Sequence, residues 1–271
     1  MQRFNKLFSS DYLLQSNQID FYRSNGFIKL KNVFDAHTLK YFEKLISDKV
    51  AEKSKDSIPL SQRDTYGKAF LQIINLWTEN EEIKKFVFSK RLARIATELM
   101  EVEGVRMYHD QALFKEGSGG YTPWHADQYY WPLSSDKAIT AWIPLQKIDR
   151  NMGPLEFSAG SQVINEGRSL SISDESEKQI EKRLRVSDFK KTTEPFDLGE
   201  VSFHSGWTFH RAGPNTTNQT RKVMTVIYID KDIRLESPSN DGQVNDWKTC
   251  CPGVNIGDVI DSFLNPIIFK K

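Results

Sequence analysis

The chain has 271 residues, of which 38% are hydrophobic, 27% charged and 12% aromatic. This length and composition are typical of a globular protein with a sizeable core, and they exclude a disordered, collagenous or disulfide-stapled chain. Lys and Arg (37) almost balance Asp and Glu (36), so the net charge of +1 argues against a nucleic-acid or membrane-surface partner.

The two cysteines, Cys250 and Cys251, are adjacent in the sequence and cannot close an ordinary disulfide loop. A reducing compartment is the simpler interpretation. The N-terminal residues lack the apolar core of a signal peptide, and no window approaches the roughly 18 apolar residues of a membrane span. We therefore expect a cytoplasmic protein without a membrane partner, while the sequence is silent on its oligomeric state.

The first part of the chain, about residues 1–103, carries mainly helical patterns. Apolar residues recur there at helical spacing, and capping residues mark where helices begin and end. The predicted elements are, in chain order, a helix over Ser16–Asn25 ended by Gly26, a strand over Phe27–Leu30, a longer helix capped by Asp35, and a helix over Lys90–Met100 closed by Gly104.

After Gly104 the pattern changes to short apolar runs separated by Gly, Pro and Asn clusters, which is typical of an antiparallel sandwich or barrel. We place this core at about residues 104–230. A polar insertion, 165–191, contains a predicted helix over Ser173–Leu184 and either covers one end of the sheet or forms a solvated linker. With a C-terminal extension, 231–271, the whole chain, 1–271, is predicted to be one domain. The predicted strands are Val105–Lys115, Ile139–Leu145, Leu155–Phe157, Glu200–Phe203, Thr208–Ala212 and Arg221–Ile229.

The residues that can carry chemistry are concentrated in this β-rich part. His125 and Asp127 are two apart in a segment that Pro123 favours as extended, so both side chains project to the same side. His210 and Arg221 flank a turn-rich segment, and a hairpin centred on it would make them cross-strand neighbours. An arginine in an otherwise apolar strand is costly unless an anion meets it.

Two histidines and one carboxylate form a facial triad with three open coordination positions, the arrangement of non-haem Fe(II) oxygenases. His125, Asp127 and His210 are the predicted members of this triad. The pair His125 and Asp127 alone is weak evidence, whereas a distal histidine followed by an arginine eleven residues later is much more specific.

These segments resemble the phytanoyl-CoA dioxygenase family of Fe(II)- and 2-oxoglutarate-dependent oxygenases. The resemblance covers roughly residues 70–230 and has a weaker echo in CPGVNIGD near the end of the chain. It is carried, in order, by the segments MYHDQALFKEGSGGYTPWHAD, AWIPL, NMGPLEFSAGSQ, FHSGWTFHRAGPN and TRKVMTVIYI.

The resemblance implies a mainly β protein with α, in which a double-stranded β-helix (jelly roll) core is flanked by N-terminal helices. It also implies Fe(II) bound by His125, Asp127 and His210, with 2-oxoglutarate and O2 as cosubstrates. Arg221 would hold the far carboxylate of 2-oxoglutarate, and the further predicted cosubstrate contacts are Met107, Trp142, Gln72 and Gln111.

The implied reaction is hydroxylation or desaturation of a C–H bond in a small-molecule substrate, with release of succinate and CO2. One alternative is a non-catalytic jelly roll that binds a metal or ligand, and another is a halogenase, against which the carboxylate of Asp127 argues. The sequence does not select a substrate. Several residues have either a structural role or a role at the pocket: His109, His204 and the aromatic cluster Trp124, Tyr129, Tyr130 and Trp131.

Overall fold

The structure is a computed structural model that describes residues 2–271. Its helices are α1 (Gln2–Ser9), α2 (Ser16–Asn25), α3 (Ala36–Lys53), α4 (Thr65–Ala69), α5 (Glu81–Val87), α6 (Lys90–Met100), α7 (Asp174–Val186) and α8 (Asp241–Cys250). Its strands are β1 (Phe27–Leu30), β2 (Leu71–Ile74), β3 (Gly104–Lys115), β4 (Thr122–His125), β5 (Ala138–Pro144), β6 (Leu155–Ser158), β7 (Lys191–Thr193), β8 (Val201–Ser205), β9 (His210–Ala212), β10 (Arg221–Asp230) and β11 (Ile267–Lys270). None of the helices described is both long and apolar enough to cross a membrane.

The helix ends of the N-terminal part follow local sequence signals. Gly26 ends α2 in the left-handed region (φ 76°), and the Asp35 carboxylate caps α3 by accepting a 2.8 Å hydrogen bond from the Thr38 N–H. The prediction that Gly104 closes α6 is wrong. Glu101 ends that helix in the left-handed conformation (φ 53°), and Gly104 is instead the first residue of β3.

The strands form two antiparallel sheets, as the jelly-roll prediction requires. The larger sheet has the order β1-β8-β5-β10-β3-β11, with β2 also paired to β3, and the smaller has the order β4-β9-β6-β7. Side chains alternate between the two faces of each central strand. On β10, Met224 and Val226 pack in the core against the helices, while Arg221 and Thr225 line a cavity on the other face. The predicted fold class is therefore confirmed.

The prediction that His210 and Arg221 are cross-strand neighbours is wrong. His210 begins β9 in the small sheet and pairs with His125 and Phe157, whereas Arg221 begins β10 in the large sheet and pairs with Lys115. The segment between them crosses from one sheet to the other instead of forming a hairpin. Asn215 fixes this crossing, because its amide donates to the carbonyls of Lys115, Glu116 and Gln219.

The polar insertion covers the small sheet rather than forming a solvated linker. Ile180 and Leu184 of α7 are buried against Trp124 and Phe209. Glu177 accepts a 2.9 Å hydrogen bond from the Trp124 backbone N–H, so the helix is bonded directly to β4. The strand that carries His125 is thus supported from behind by α7.

Candidate active site

The predicted triad comes together at one end of the space between the sheets. Nε2 of His125 and Nε2 of His210 each lie 3.6 Å from Oδ1 of Asp127, and the two imidazole rings are 4.2 Å apart between centroids. His125 ends β4 and His210 begins the neighbouring strand β9, so the strand pairing itself holds the two rings together. Ligand atoms of all three residues lie within 4.8 Å of one another, close enough to hold one metal ion.

Backbone carbonyls fix the orientation of both imidazoles. Nδ1 of His125 lies 2.7 Å from the Pro123 carbonyl oxygen, and Nδ1 of His210 lies 3.0 Å from that of Thr208. Each Nδ1 therefore donates its hydrogen to a backbone carbonyl, and Nε2 is the atom that each ring turns toward Asp127 and that would bind a metal. Burial, followed by the neighbouring His125, lowers the pKa of His210 well below its usual range, so this ring is neutral as a metal ligand must be.

The two oxygens of the Asp127 carboxylate have different neighbours. Oδ2 accepts hydrogen bonds from the Thr140 hydroxyl at 2.9 Å and from Nε2 of His204 at 3.1 Å, which leaves Oδ1 to face the two imidazoles. Burial opposes ionisation of Asp127, but the hydrogen bonds from Thr140 and His204 favour the charged carboxylate. Two imidazole nitrogens and one carboxylate oxygen on one face fit a divalent iron.

Arg221 is a buried cation that meets no carboxylate among the described residues. Its side chain is 2% exposed, its Nη1 donates to the Gly153 carbonyl, and its Nε has no hydrogen-bond partner within residues 2–271. The guanidinium lies over the Trp142 ring, 5.4 Å from its centroid, and burial lowers the pKa of Arg221 to about 9. Such a group is prepared for an anionic ligand entering the cavity.

Lys115, the cross-strand partner of Arg221, is a residue that the sequence did not single out. It is buried, and its amine donates to the Gly120 carbonyl and to the Thr122 hydroxyl. Burial, with a further contribution from Arg221, lowers the pKa of Lys115 to about 6. Two buried basic side chains, Arg221 and Lys115, are therefore neighbours, and a bound anion would balance their positive charge.

Three of the four remaining predicted cosubstrate contacts line the cavity: Trp142, Gln72 and Gln111. The Gln72 amide donates to the Gln111 side chain and accepts a 2.7 Å hydrogen bond from the Tyr66 hydroxyl. Met107, the fourth predicted contact, does not line the cavity. A bulge in the β3–β10 pairing shifts the register at Tyr108 and turns Met107 into the core against the helices, whereas His109 and Gln111 face the cavity.

The cavity has a volume of about 400 Å³ and contains the triad and Arg221 in its wall. Its aromatic wall includes Tyr130 and Trp131 of the predicted cluster. Trp124 instead packs on the far side of β4 against α7, and Tyr129 stacks edge-on against Tyr130. His109 and His204 both line the cavity, and His204 also donates a hydrogen bond to Oδ2 of Asp127.

A second missed feature is the contribution of α8 to the cavity wall. Gly242, Asp246 and Cys250 recur every four residues on this helix and line the cavity, as do Asn245 and Thr249. The capping signal of Asn240, whose side chain accepts from the Gln243 N–H, could have located the helix in the sequence. The sequence of 231–271 contains no local pattern which predicts that this helix packs against the cavity.

The sequence of the chain matches the model of the phytanoyl-CoA dioxygenase (PhyH) family over residues 22–223. The chain belongs to this family, as the motifs predicted. The match begins at residue 22, whereas the motifs recognised in the sequence begin at about residue 70. The N-terminal helices were missed because they carry a packing pattern and no recognisable motif. Family, fold and the His–Asp–His cluster together define a non-haem, Fe- and 2-oxoglutarate-dependent oxygenase.

Individual relatives are distant. The chain is 22% identical, over 78% of its length and 77% of the relative's, to a Stutzerimonas stutzeri protein named "Probable alpha-ketoglutarate-dependent hypophosphite dioxygenase". Among solved structures it resembles the carbocyclase SnoK from nogalamycin biosynthesis, with a TM-score of 0.77, 22% identity and coverage of 94% and 97% of the two chains. It also resembles EctD from S. alaskensis, solved with 2-oxoglutarate and 5-hydroxyectoine, with a TM-score of 0.71, 18% identity and coverage of 95% and 90%. At these identities the structural likeness concerns the fold.

Proposed function

We propose that the chain hydroxylates a C–H bond of a small organic molecule, with His125, Asp127 and His210 holding Fe(II) and Arg221 holding the far carboxylate of 2-oxoglutarate. One observation carries the proposal. Two imidazoles whose Nε2 atoms face one carboxylate oxygen share a cavity with a buried arginine that has no carboxylate partner among the described residues. Bound Fe(II) would couple oxidative decarboxylation of 2-oxoglutarate by O2, which yields succinate and CO2, to oxidation of the substrate.

The chain's own residues have positioning and electrostatic tasks in this reaction. The Pro123 and Thr208 carbonyls keep the two imidazoles in the metal-binding tautomer, and Thr140 and His204 keep Asp127 turned toward them. Arg221, stacked on Trp142, would fix one end of 2-oxoglutarate, while Gln72 and Gln111 offer polar contacts along the wall. Burial of these groups excludes water, which strengthens each charge interaction.

The carboxylate of Asp127 favours hydroxylation over halogenation. A halide would need the coordination position that Oδ1 of Asp127 would fill, and this oxygen is present, 3.6 Å from Nε2 of each imidazole. We also propose that the chain forms a single oxygenase domain. Both cysteines are free thiols, which supports the proposed cytoplasmic location.

The test is iron binding and turnover by variants of the triad. His125→Ala, Asp127→Ala and His210→Ala are each expected to lose stoichiometric Fe(II) binding and 2-oxoglutarate-dependent succinate formation. His37→Ala, at an exposed position on α3, is the matched control and should retain both. Stoichiometric Fe(II) binding by the His210 variant would contradict the proposed ligand set. Iron and 2-oxoglutarate binding without any succinate would favour a non-catalytic binding protein.

A further inference from the structure

One wall of the cavity is formed by α8 and contains an acidic side chain that the proposed function does not use. Gly242, Asp246 and Cys250 lie on the same face of this helix and line the cavity. The helix approaches the aromatic wall closely, since a Cβ added at Gly242 would lie 3.2 Å from Cδ1 of Tyr130. Asp246 is thereby held at the cavity surface beside aromatic rings.

The carboxyl group of Asp246 lacks a cationic partner among the residues that the structure describes. Its neighbours are the Tyr108 hydroxyl, which donates to Oδ2, and the Cys250 thiol. Burial raises the pKa of Asp246 to about 7. A cation bound in the cavity would restore the charged carboxylate and supply the missing counter-charge.

His109 lies at the same part of the cavity wall. Its side chain is 3% exposed and lines the cavity, and its Nδ1 has no hydrogen-bond partner among the described residues. Ligand atoms of His109, Asp246 and Cys250 lie within 4.8 Å of one another. Burial lowers the pKa of His109 to about 4, so the imidazole is neutral and one of its nitrogens can accept a hydrogen bond.

The rest of the cavity surface suits a cation better than an anion. Besides Trp142, which stacks on Arg221, four aromatic side chains line it: Tyr66, Phe70, Tyr130 and Trp131. Of the two arginines in the lining, Arg221 is assigned to 2-oxoglutarate, and Arg211 is already ion-paired with Glu156 and Glu177. An anionic substrate would therefore meet no free cation on the α8 wall, whereas aromatic faces and a carboxylate together attract ammonium groups.

We propose that Asp246 and His109 bind the primary substrate through an ammonium group, so that the substrate is a small organic amine. This inference rests on the proposed oxygenase function and adds its substrate class. One N–H of the ammonium group would donate to the Asp246 carboxylate, and another would donate to the ring nitrogen of His109 that lies within 4.8 Å of it. The hydrocarbon part of the amine would then lie among the aromatic rings. The cavity of about 400 Å³ must hold 2-oxoglutarate as well, which limits the amine to a small molecule.

The experiment uses the full chain loaded with Fe(II) and 2-oxoglutarate without oxygen, and measures probe binding by calorimetry. The probes are matched sets: benzylamine, benzyl alcohol and benzoate, and cyclohexylamine, cyclohexanol and cyclohexanecarboxylate. We expect the amine of at least one set to bind about 10- to 100-fold more tightly than its alcohol, the range of a charge-assisted hydrogen bond, and the carboxylate to bind most weakly. Asp246→Asn should abolish the preference, and Asp241→Asn, the same change at an exposed position of α8, should keep it.

Two results on the unaltered protein would overturn the inference even if the Asp246 variant fails to fold. One is that in both sets the alcohol or the carboxylate binds as tightly as the amine, and the other is no binding by any probe. A second equivalent of Zn²⁺, bound by the iron-loaded protein and lost in Cys250→Ser, would also overturn it, because the metal would take the Asp246 carboxylate. Fe(II) and 2-oxoglutarate are titrated separately on the same sample, and failure there contradicts the proposed function instead.

Discussion

The two oxygens of Asp127 have separate roles. Oδ1 faces the two imidazoles, while Oδ2 accepts hydrogen bonds from neighbouring side chains. Thr140 and His204 both donate to Oδ2, so the orientation of Oδ1 does not depend on a metal being present. Outer hydrogen bonds of this kind orient metal ligands, and their loss typically weakens metal binding about 10- to 100-fold. His204 is therefore a positioning residue rather than an additional ligand.

This role predicts a graded response to substitution of His204. His204→Ala should still bind one Fe(II) but about 10- to 100-fold more weakly, because Asp127 loses one of its two side-chain donors. His204→Gln retains an N–H donor and should recover part of the affinity. Iron titration of both variants measures this. Complete loss of iron in both variants would instead make His204 a ligand.

Arg221 gives the second prediction at this scale. Arg221→Leu should raise the KM for 2-oxoglutarate by about 10- to 150-fold, because a charge-assisted contact worth about 1.5 to 3 kcal/mol is lost. Iron affinity should change little, since the guanidinium does not contact the triad. Lys222→Leu removes the neighbouring cation, which pairs with Glu43 on the helix side, and should leave this KM unchanged. Equal KM values in the two variants would place the clamp elsewhere.

At the level of elements, α7 and β4 behave as one unit. The sequence of α7 is mostly polar, yet its two buried apolar residues, Ile180 and Leu184, contact Trp124 and Phe209. Glu181 accepts a 2.7 Å hydrogen bond from the Trp124 indole. Hydrogen bonds from Lys191, Arg185 and Trp124 outweigh burial and lower the pKa of Glu181 to about 2. The helix thus holds the strand that ends at His125.

Removing one buried side chain of α7 tests this coupling. Leu184→Ala should lower the free energy of unfolding by about 2 to 4 kcal/mol, because Leu184 is 0% exposed and the change leaves a cavity behind β4. Lys182→Ala, on the exposed side of the same helix, should change it by less than about 0.5 kcal/mol. Urea unfolding followed by circular dichroism gives both values. Similar stability of the two variants would mean that α7 is only loosely attached.

On the scale of the whole molecule, the two sheets present different parts of the site. The small sheet carries His125 and His210, and the large sheet carries Arg221, so a molecule that contacts both the metal and the guanidinium connects the sheets across the cavity. Helices cover the outer face of the large sheet, which leaves its inner face for the cavity. Binding should therefore stabilise the fold as a whole.

Thermal unfolding tests this consequence. At 100 times its dissociation constant, 2-oxoglutarate added to the iron-loaded protein should contribute about 2.7 kcal/mol, or roughly 5 to 10 °C in Tm for a chain of this size. In Arg221→Leu the same concentration should add little, while Fe(II) alone should still stabilise the protein. An undiminished shift with 2-oxoglutarate in that variant would show that the sheets are not connected through Arg221.

The sequence by itself determined the features that depend on local pattern. The change from helical to alternating periodicity predicted N-terminal helices followed by an antiparallel sandwich or barrel, and the family resemblance specified the jelly roll. The pair His125 and Asp127, with a distal His210 and an arginine eleven residues later, predicted the metal cluster, because these residue types recur together in short motifs. Tertiary structure alone decided the rest. His210 and Arg221 lie on different sheets because the segment between them crosses over, a bulge turns Met107 away from the cavity, and α8 reaches the site from 241–250. Each of these depends on contacts between residues far apart in the chain, which no local pattern records.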